Sequence, residues 1–152
     1  MAEEAVELLL VEDNASDVEL VLHSLKKHNF ANRIRVARDG AEALDIVLGT
    51  GGDTLPADAP KLILLDLKLP KVDGLQVLGR LKTDPRTRGI PVVVLTSSRE
   101  DRDLNSCYKL GANSYVVKPV DFTRFAEAVR QLGLYWLLLN EKPPSWHEHR
   151  EP

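Results

Sequence analysis

The stretch LILLDLKLP, residues 62–70, places a carboxylate at the end of an unbroken apolar run. An ionised aspartate taken out of water is costly enough that a chain pairs it, protonates it or uses it. The run is too short for a helix before Pro70 and apolar at every position. It reads as a strand over 61–67, covered on both faces as in a parallel sheet. Asp66 then stands near the carboxyl end of that strand, and other residues should converge on it.

The same pattern repeats on both sides. Apolar runs at 6–11, 33–36, 92–95 and 114–117 alternate with helix-period segments, which is the signature of βαβ units. The first helix is expected to open around Ser16, with Glu19 completing a capping box. It should bury Val18, Val21, Leu22 and Leu25 and end near Asn29. Asp39-Gly40 opens a second helix that carries Ala43, Leu44 and Val47 and is closed by Gly49. Residues 49–60, GTGGDTLPADAP, read as an exposed loop. A third helix is expected over 75–82, with Gly74 as a turn or helix-opening residue. A fourth spans 99–110, and Asp121 caps a last helix reaching about Asn140. The segment from Pro143 has no periodicity. The chain therefore divides into a domain at 1–142 and a mobile tail at 143–152. Five such units predict an α/β fold with a five-stranded parallel sheet and helices on both faces. Its ligand crevice should lie beyond the carboxyl ends of the strands.

Bulk properties narrow the function. With 152 residues, 43% of them hydrophobic, the chain can build one real core. A net charge of −3 without any basic cluster gives no reason to expect nucleic acid or an anionic membrane as partner. The single cysteine, Cys107, excludes an internal disulfide and a multi-cysteine metal site, and reads as a small buried hydrophobe. The opening MAEEAVELLLVED is acidic, with an apolar stretch too short for a signal peptide or a membrane span. A cytoplasmic protein is expected. His23 and His28 read as surface residues, and His147 and His149 sit in the aperiodic tail.

The strand ends carry the chemistry. The first ends in Glu12-Asp13, the third in Asp66, the fourth in Thr96-Ser97 and the fifth in Lys118-Pro119. Three clustered acids repel one another, and a divalent cation such as Mg²⁺ relieves this through oxygen ligands. An aspartate can accept a phosphoryl group as an acyl phosphate. That transfer needs charge neutralisation, which a metal ion and an ammonium supply. Asp66 as nucleophile, Mg²⁺ on Glu12 and Asp13, and Lys118 on the phosphoryl oxygens make a complete set.

These motifs, LLVEDN (9–14), LLDLKLPKVDG (64–74), VVVLTSS (92–98) and VVKPV (116–120), resemble the receiver domain of two-component response regulators. The resemblance spans nearly the whole chain. It implies the flavodoxin-like doubly wound sheet with strand order 2-1-3-4-5. It also implies that Asp66 is the phosphoacceptor, loaded by a sensor histidine kinase, and that the protein catalyses only its own phosphorylation and dephosphorylation. Asp13 would ligate Mg²⁺ directly, Glu12 largely through water, and Lys68 through its backbone carbonyl. Thr96 would turn towards the phosphoryl group while Tyr115 swings inward. Lys118 would bond the phosphoryl oxygens, and its peptide bond to Pro119 would be cis. Lys68 and Ser98 fall where the family tunes phosphoryl lifetime. The longer loop at 49–60 and the long last helix resemble the single-domain regulators paired with bacterial phytochromes.

Other readings of the same residues are weaker. A haloacid-dehalogenase phosphatase needs an acid two residues after its nucleophile, where this chain has Lys68. A flavin carrier needs a hydroxyl- and glycine-rich loop after the first strand, where EDNASD (12–17) places acids. An adaptor that takes no phosphate would be expected to lack one of the key acids or the lysine. The last helix is apolar all round at 132–139, LGLYWLLL, whereas one apolar stripe suffices on a sheet. Its surplus is expected to form a homodimer through Tyr135, Trp136 and Leu139, together with the fourth-helix and fifth-strand face. Output would be partner binding or onward phosphotransfer.

Overall fold

Five short strands, β1 (Glu7–Val11), β2 (Arg33–Ala37), β3 (Leu62–Asp66), β4 (Val92–Thr96) and β5 (Ser114–Val117), pair in parallel in the order β2-β1-β3-β4-β5. This is the expected order. The computed structural model describes residues 7–27, 33–49, 59–97, 101–118 and 122–131. Helices α1 (Ala15–Lys27), α2 (Gly40–Leu48), α3 (Gly74–Thr83), α4 (Asp101–Leu110) and α5 (Phe122–Gln131) alternate with the strands. The expected ends near Asn29 and Asn140, the cap at Asp121 and the tail at 143–152 lie outside the described residues, as does His28.

Both faces of the sheet are buried, which explains the unbroken apolar strands. Leu9, Val11, Ile63, Leu65, Val92 and Val94 pack with Ala43, Leu44 and Val47 of α2, with Val77, Leu78 and Leu81 of α3, and with Cys107 of α4. Alternation along each strand sends Leu8, Leu10, Leu62, Leu64, Val93 and Leu95 to the opposite face. These are equally buried, as are Val18, Val21 and Leu25 of α1. Leu22 is only half-buried, because the stripe set by the other three passes beside it. Burial, reinforced by the charge of Asp103, pushes the Cys107 thiol up to about 11, so it packs as a small hydrophobe.

One helix start differs from the reading of the sequence. Asn14 opens α1, not Ser16: its Oδ1 accepts the Asp17 N–H at 2.9 Å, and its carbonyl accepts the Val18 N–H at 3.0 Å. An asparagine side chain is a strong cap, and Ser16 falls inside the first turn. The α2 start is as read, and α3 begins at Gly74, one residue before the expected 75. Residues 99 and 100, at the expected start of the fourth helix, lie outside the described residues. Asp39 Oδ1 accepts the Glu42 N–H at 2.8 Å, and Gly49 ends α2 at φ 63°. Asp73 and Gln76 form a reciprocal capping box on α3.

The β3–α3 connection is tightly packed. The Gly74 N–H donates to the Leu67 carbonyl at 2.8 Å, and a Cβ at Gly74 would strike the Asp66 carbonyl and Leu67 Cα. Gly40 likewise approaches the Val72 carbonyl too closely for any side chain. Lys71 turns the chain between them at φ 69° and places its ammonium 3.6 Å from Asp39 Oδ2.

Candidate functional site

The crossover from β2 to β3 skips β1, so the topological switch lies between β1 and β3. Register brings the site residues together there. Val11 pairs with Leu65, so Glu12 follows on beside Asp66. Asp66 pairs with Leu95, and Thr96 with Val117, which puts Lys118 one step beyond the last pair. Two backbone bonds extend the ladder past the strand ends: Glu12 N–H to the Ala37 carbonyl at 2.9 Å, and Lys118 N–H to the Thr96 carbonyl at 2.8 Å.

Glu12, Asp13 and Asp66 form the predicted cluster, each offering an oxygen within 4.8 Å of the others. Glu12 and Asp66 are buried, and Asp13 is exposed. Glu12 Oε2 accepts the Asn14 N–H at 3.2 Å, which pins the carboxylate in place. Asp66 Oδ1 accepts the Lys68 N–H at 3.4 Å. Lys118 reaches into the cluster, its Nζ 2.6 Å from Glu12 Oε1 and 3.5 Å from Asp66 Oδ2. Its third partner was not anticipated: Asp17 Oδ2 of α1 lies 3.0 Å away. The sequence signal for Asp17 is weak, because an acid in a first helical turn is adequately explained by the helix dipole.

These charges shift one another. Burial pushes the Glu12 carboxyl above its ordinary value; the Lys118 ammonium offsets part of this and the neighbouring Asp66 charge adds to it. Burial also works to lower Lys118, but its hydrogen bonds to Glu12 and Asp17 and the charge of Asp66 prevail and push it up to about 12. When ionised, Glu12, Asp13, Asp17 and Asp66 leave the site with a strong negative excess over one ammonium. All the donors are hard oxygens, the set suited to a cation such as Mg²⁺.

The remaining predicted residues are placed as follows. Thr96 is buried at the end of β4. Tyr115 on β5 is half-buried, packs against the α2–α3–α4 side of the core and pairs with Val94. Lys68 is exposed and, with Asp13, Asp73 and Asp103, lines a cleft of about 490 Å³. Ser98, Pro119, Tyr135, Trp136 and Leu139 lie outside the described residues. No described helix is long and apolar enough to cross a membrane.

Comparison with known proteins agrees with this arrangement. Residues 8–130 match the family model of the response regulator receiver domain. The solved structure of the bacteriophytochrome response regulator AtBRR is 53% identical with a TM-score of 0.79; the match covers 91% of this chain and all of that one (100%). The probable methanogenesis regulatory protein FilR2 of Methanothrix harundinacea is 43% identical over 143 residues, which is 93% of this chain and 90% of its own length. The Mn²⁺-bound form of response regulator Rcp1 is 35% identical with a TM-score of 0.68, covering 91% of this chain and 99% of that one. With its switch-point acids and lysine in a 2-1-3-4-5 sheet, the chain belongs to the response regulator receiver domain family.

Proposed function

We propose that the protein accepts a phosphoryl group on Asp66 from the phosphohistidine of a sensor kinase, in the presence of Mg²⁺. A carboxylate oxygen of Asp66 forms the new P–O bond as the P–N bond breaks, and the released imidazole takes up a proton. Hydrolysis reverses the state: water attacks phosphorus, the bond to Asp66 breaks, and free phosphate leaves. Glu12, Asp13, Asp66 and the backbone carbonyl of Lys68 would hold Mg²⁺, which supplies positive charge to the phosphoryl oxygens. Lys118 bonds those oxygens, Thr96 turns towards them, and Tyr115 moves with Thr96, biasing an existing equilibrium towards the output form. Lys68 and Ser98 tune how long the phosphoryl group survives. Likeness to AtBRR favours a phytochrome as the kinase.

The observation that carries this reading is the convergence of the Glu12, Asp13 and Asp66 carboxylates with the Lys118 ammonium at one sheet edge. Incubation with acetyl phosphate, read by intact mass, tests it. A single phosphate adduct that requires Mg²⁺ and is lost in Asp66→Asn is expected. A persistent adduct in that variant would move the site elsewhere. Absence of any adduct, from acetyl phosphate or from a partner kinase, would favour an adaptor that takes no phosphate.

A further inference from the structure

We propose that Asp17 is a positioning residue that holds the Lys118 ammonium away from Asp66, keeping the nucleophile and the acidic cluster open. This rests on the reading of Asp66 as phosphoacceptor. The three contacts of Lys118 Nζ are unequal: Glu12 at 2.6 Å, Asp17 at 3.0 Å and Asp66 at 3.5 Å. The contact to the nucleophile is the longest. Glu12 is buried and anchored by the Asn14 N–H, so it fixes one side of the ammonium. Asp17 supplies the second hold from α1, and the Asn14 cap that receives the Asp17 N–H sets where that turn begins.

An ammonium has three donors and no preferred fork, so it settles where surrounding anions balance. Without the Asp17 charge the balance moves towards the remaining pair, Glu12 and Asp66. Lys118 would then close on the Asp66 oxygens and oppose a cation entering the same cluster. A purely structural Asp17, acting on the α1 dipole, has a different signature: it changes helix stability but leaves the ammonium where it is.

Five proteins decide between these: wild type, Asp17→Asn, Asp17→Glu, Lys118→Met and the Asp17→Asn/Lys118→Met double variant. Without metal, the Lys118 ammonium resonance in ¹⁵N NMR, identified by its loss in Lys118→Met, is expected to shift in Asp17→Asn and to return in Asp17→Glu. In calorimetry, Asp17→Asn is expected to weaken Mg²⁺ binding about threefold to fivefold, the scale of a partly exposed ion pair. Most of that loss should vanish when Lys118→Met is already present. Phosphoryl uptake at subsaturating Mg²⁺ should slow by a similar factor. An unmoved resonance, or an equal loss of Mg²⁺ affinity in both backgrounds, overturns the proposal. If Asn disturbs α1, Asp17→Ser repeats the substitution with a residue that suits a first turn. Failure of wild type to label Asp66 overturns the phosphoacceptor reading instead, and the metal-free resonance still decides whether Asp17 holds the lysine.

Discussion

Glu12 shows how a single residue bears the tension of this site. Its carboxylate is buried beside Asp66, and burial together with the Asp66 charge raises its pKa more than Lys118 and the Asn14 N–H lower it. A carboxyl raised in the fold is easier to ionise in the unfolded chain. Stability is therefore lost as pH rises above the ordinary value of 4.5 and remains lower at neutral pH. Glu12→Gln keeps an acceptor for the Asn14 N–H and removes the charge. In metal-free buffer at pH 7 it should melt at a higher temperature than wild type. That gain should fade as the pH falls towards 4.5, and Mg²⁺ binding should weaken. A lower melting temperature at neutral pH would show that the ion pair with Lys118 outweighs burial. Lys118, pushed up to about 12, stays charged throughout this range, so its position rather than its protonation is what the site can vary.

At the scale of elements, the β3–α3 connection holds Asp66 from behind. Helix α3 approaches so closely that Gly74 touches the Asp66 carbonyl, and Gly40 does the same to Val72 from α2. Neither glycine is read with a positive φ; what each needs is the absence of a side chain. Gly74→Ala should destabilise the fold by roughly 1–3 kcal/mol through overpacking against backbone that cannot yield. It should also slow phosphoryl uptake, because the displaced element carries Asp66. Urea unfolding with an unchanged midpoint would show that α3 can slide outward freely. Farther along, Lys82 ties the end of α3 to the Arg88 and Ile90 carbonyls and to Asn113 Oδ1. Asn113 Oδ1 in turn accepts the Val92 N–H at 2.8 Å. These bonds join α3 to the start of β4 and the approach to β5, the two strands that deliver Thr96 and Lys118.

At the scale of the whole molecule, the open question is what meets the α4–β5 side. Tyr108 of α4 is exposed, at 49%. The segment LGLYWLLL at 132–139 holds more apolar surface than one stripe requires. We propose an isologous homodimer through this segment and the α4–β5 face, an arrangement in which one patch serves both copies. Light scattering should give twice the chain mass for wild type and the monomer mass for Trp136→Glu. An unchanged mass in the variant would place the interface elsewhere, and a monomeric wild type would remove it.

The sequence by itself determined the architecture and most of the site, because both rest on local signals. Apolar runs of strand length between helix-period segments leave little choice but a parallel sheet, and in such a sheet chemistry collects at carboxyl strand ends. Asp66, Glu12, Asp13, Thr96 and Lys118 were legible from position alone. Only the tertiary structure decided where the Lys118 ammonium rests. Asp17 and Lys118 stand 101 residues apart, and nothing local distinguishes Asp17 from an ordinary helix-opening acid. The fits of Gly40 on Val72 and of Gly74 on Asp66 were hidden for the same reason. A sequence displays which groups are present and how they alternate along the chain. The few tenths of an ångström that rank one carboxylate above another come from elements packing against each other.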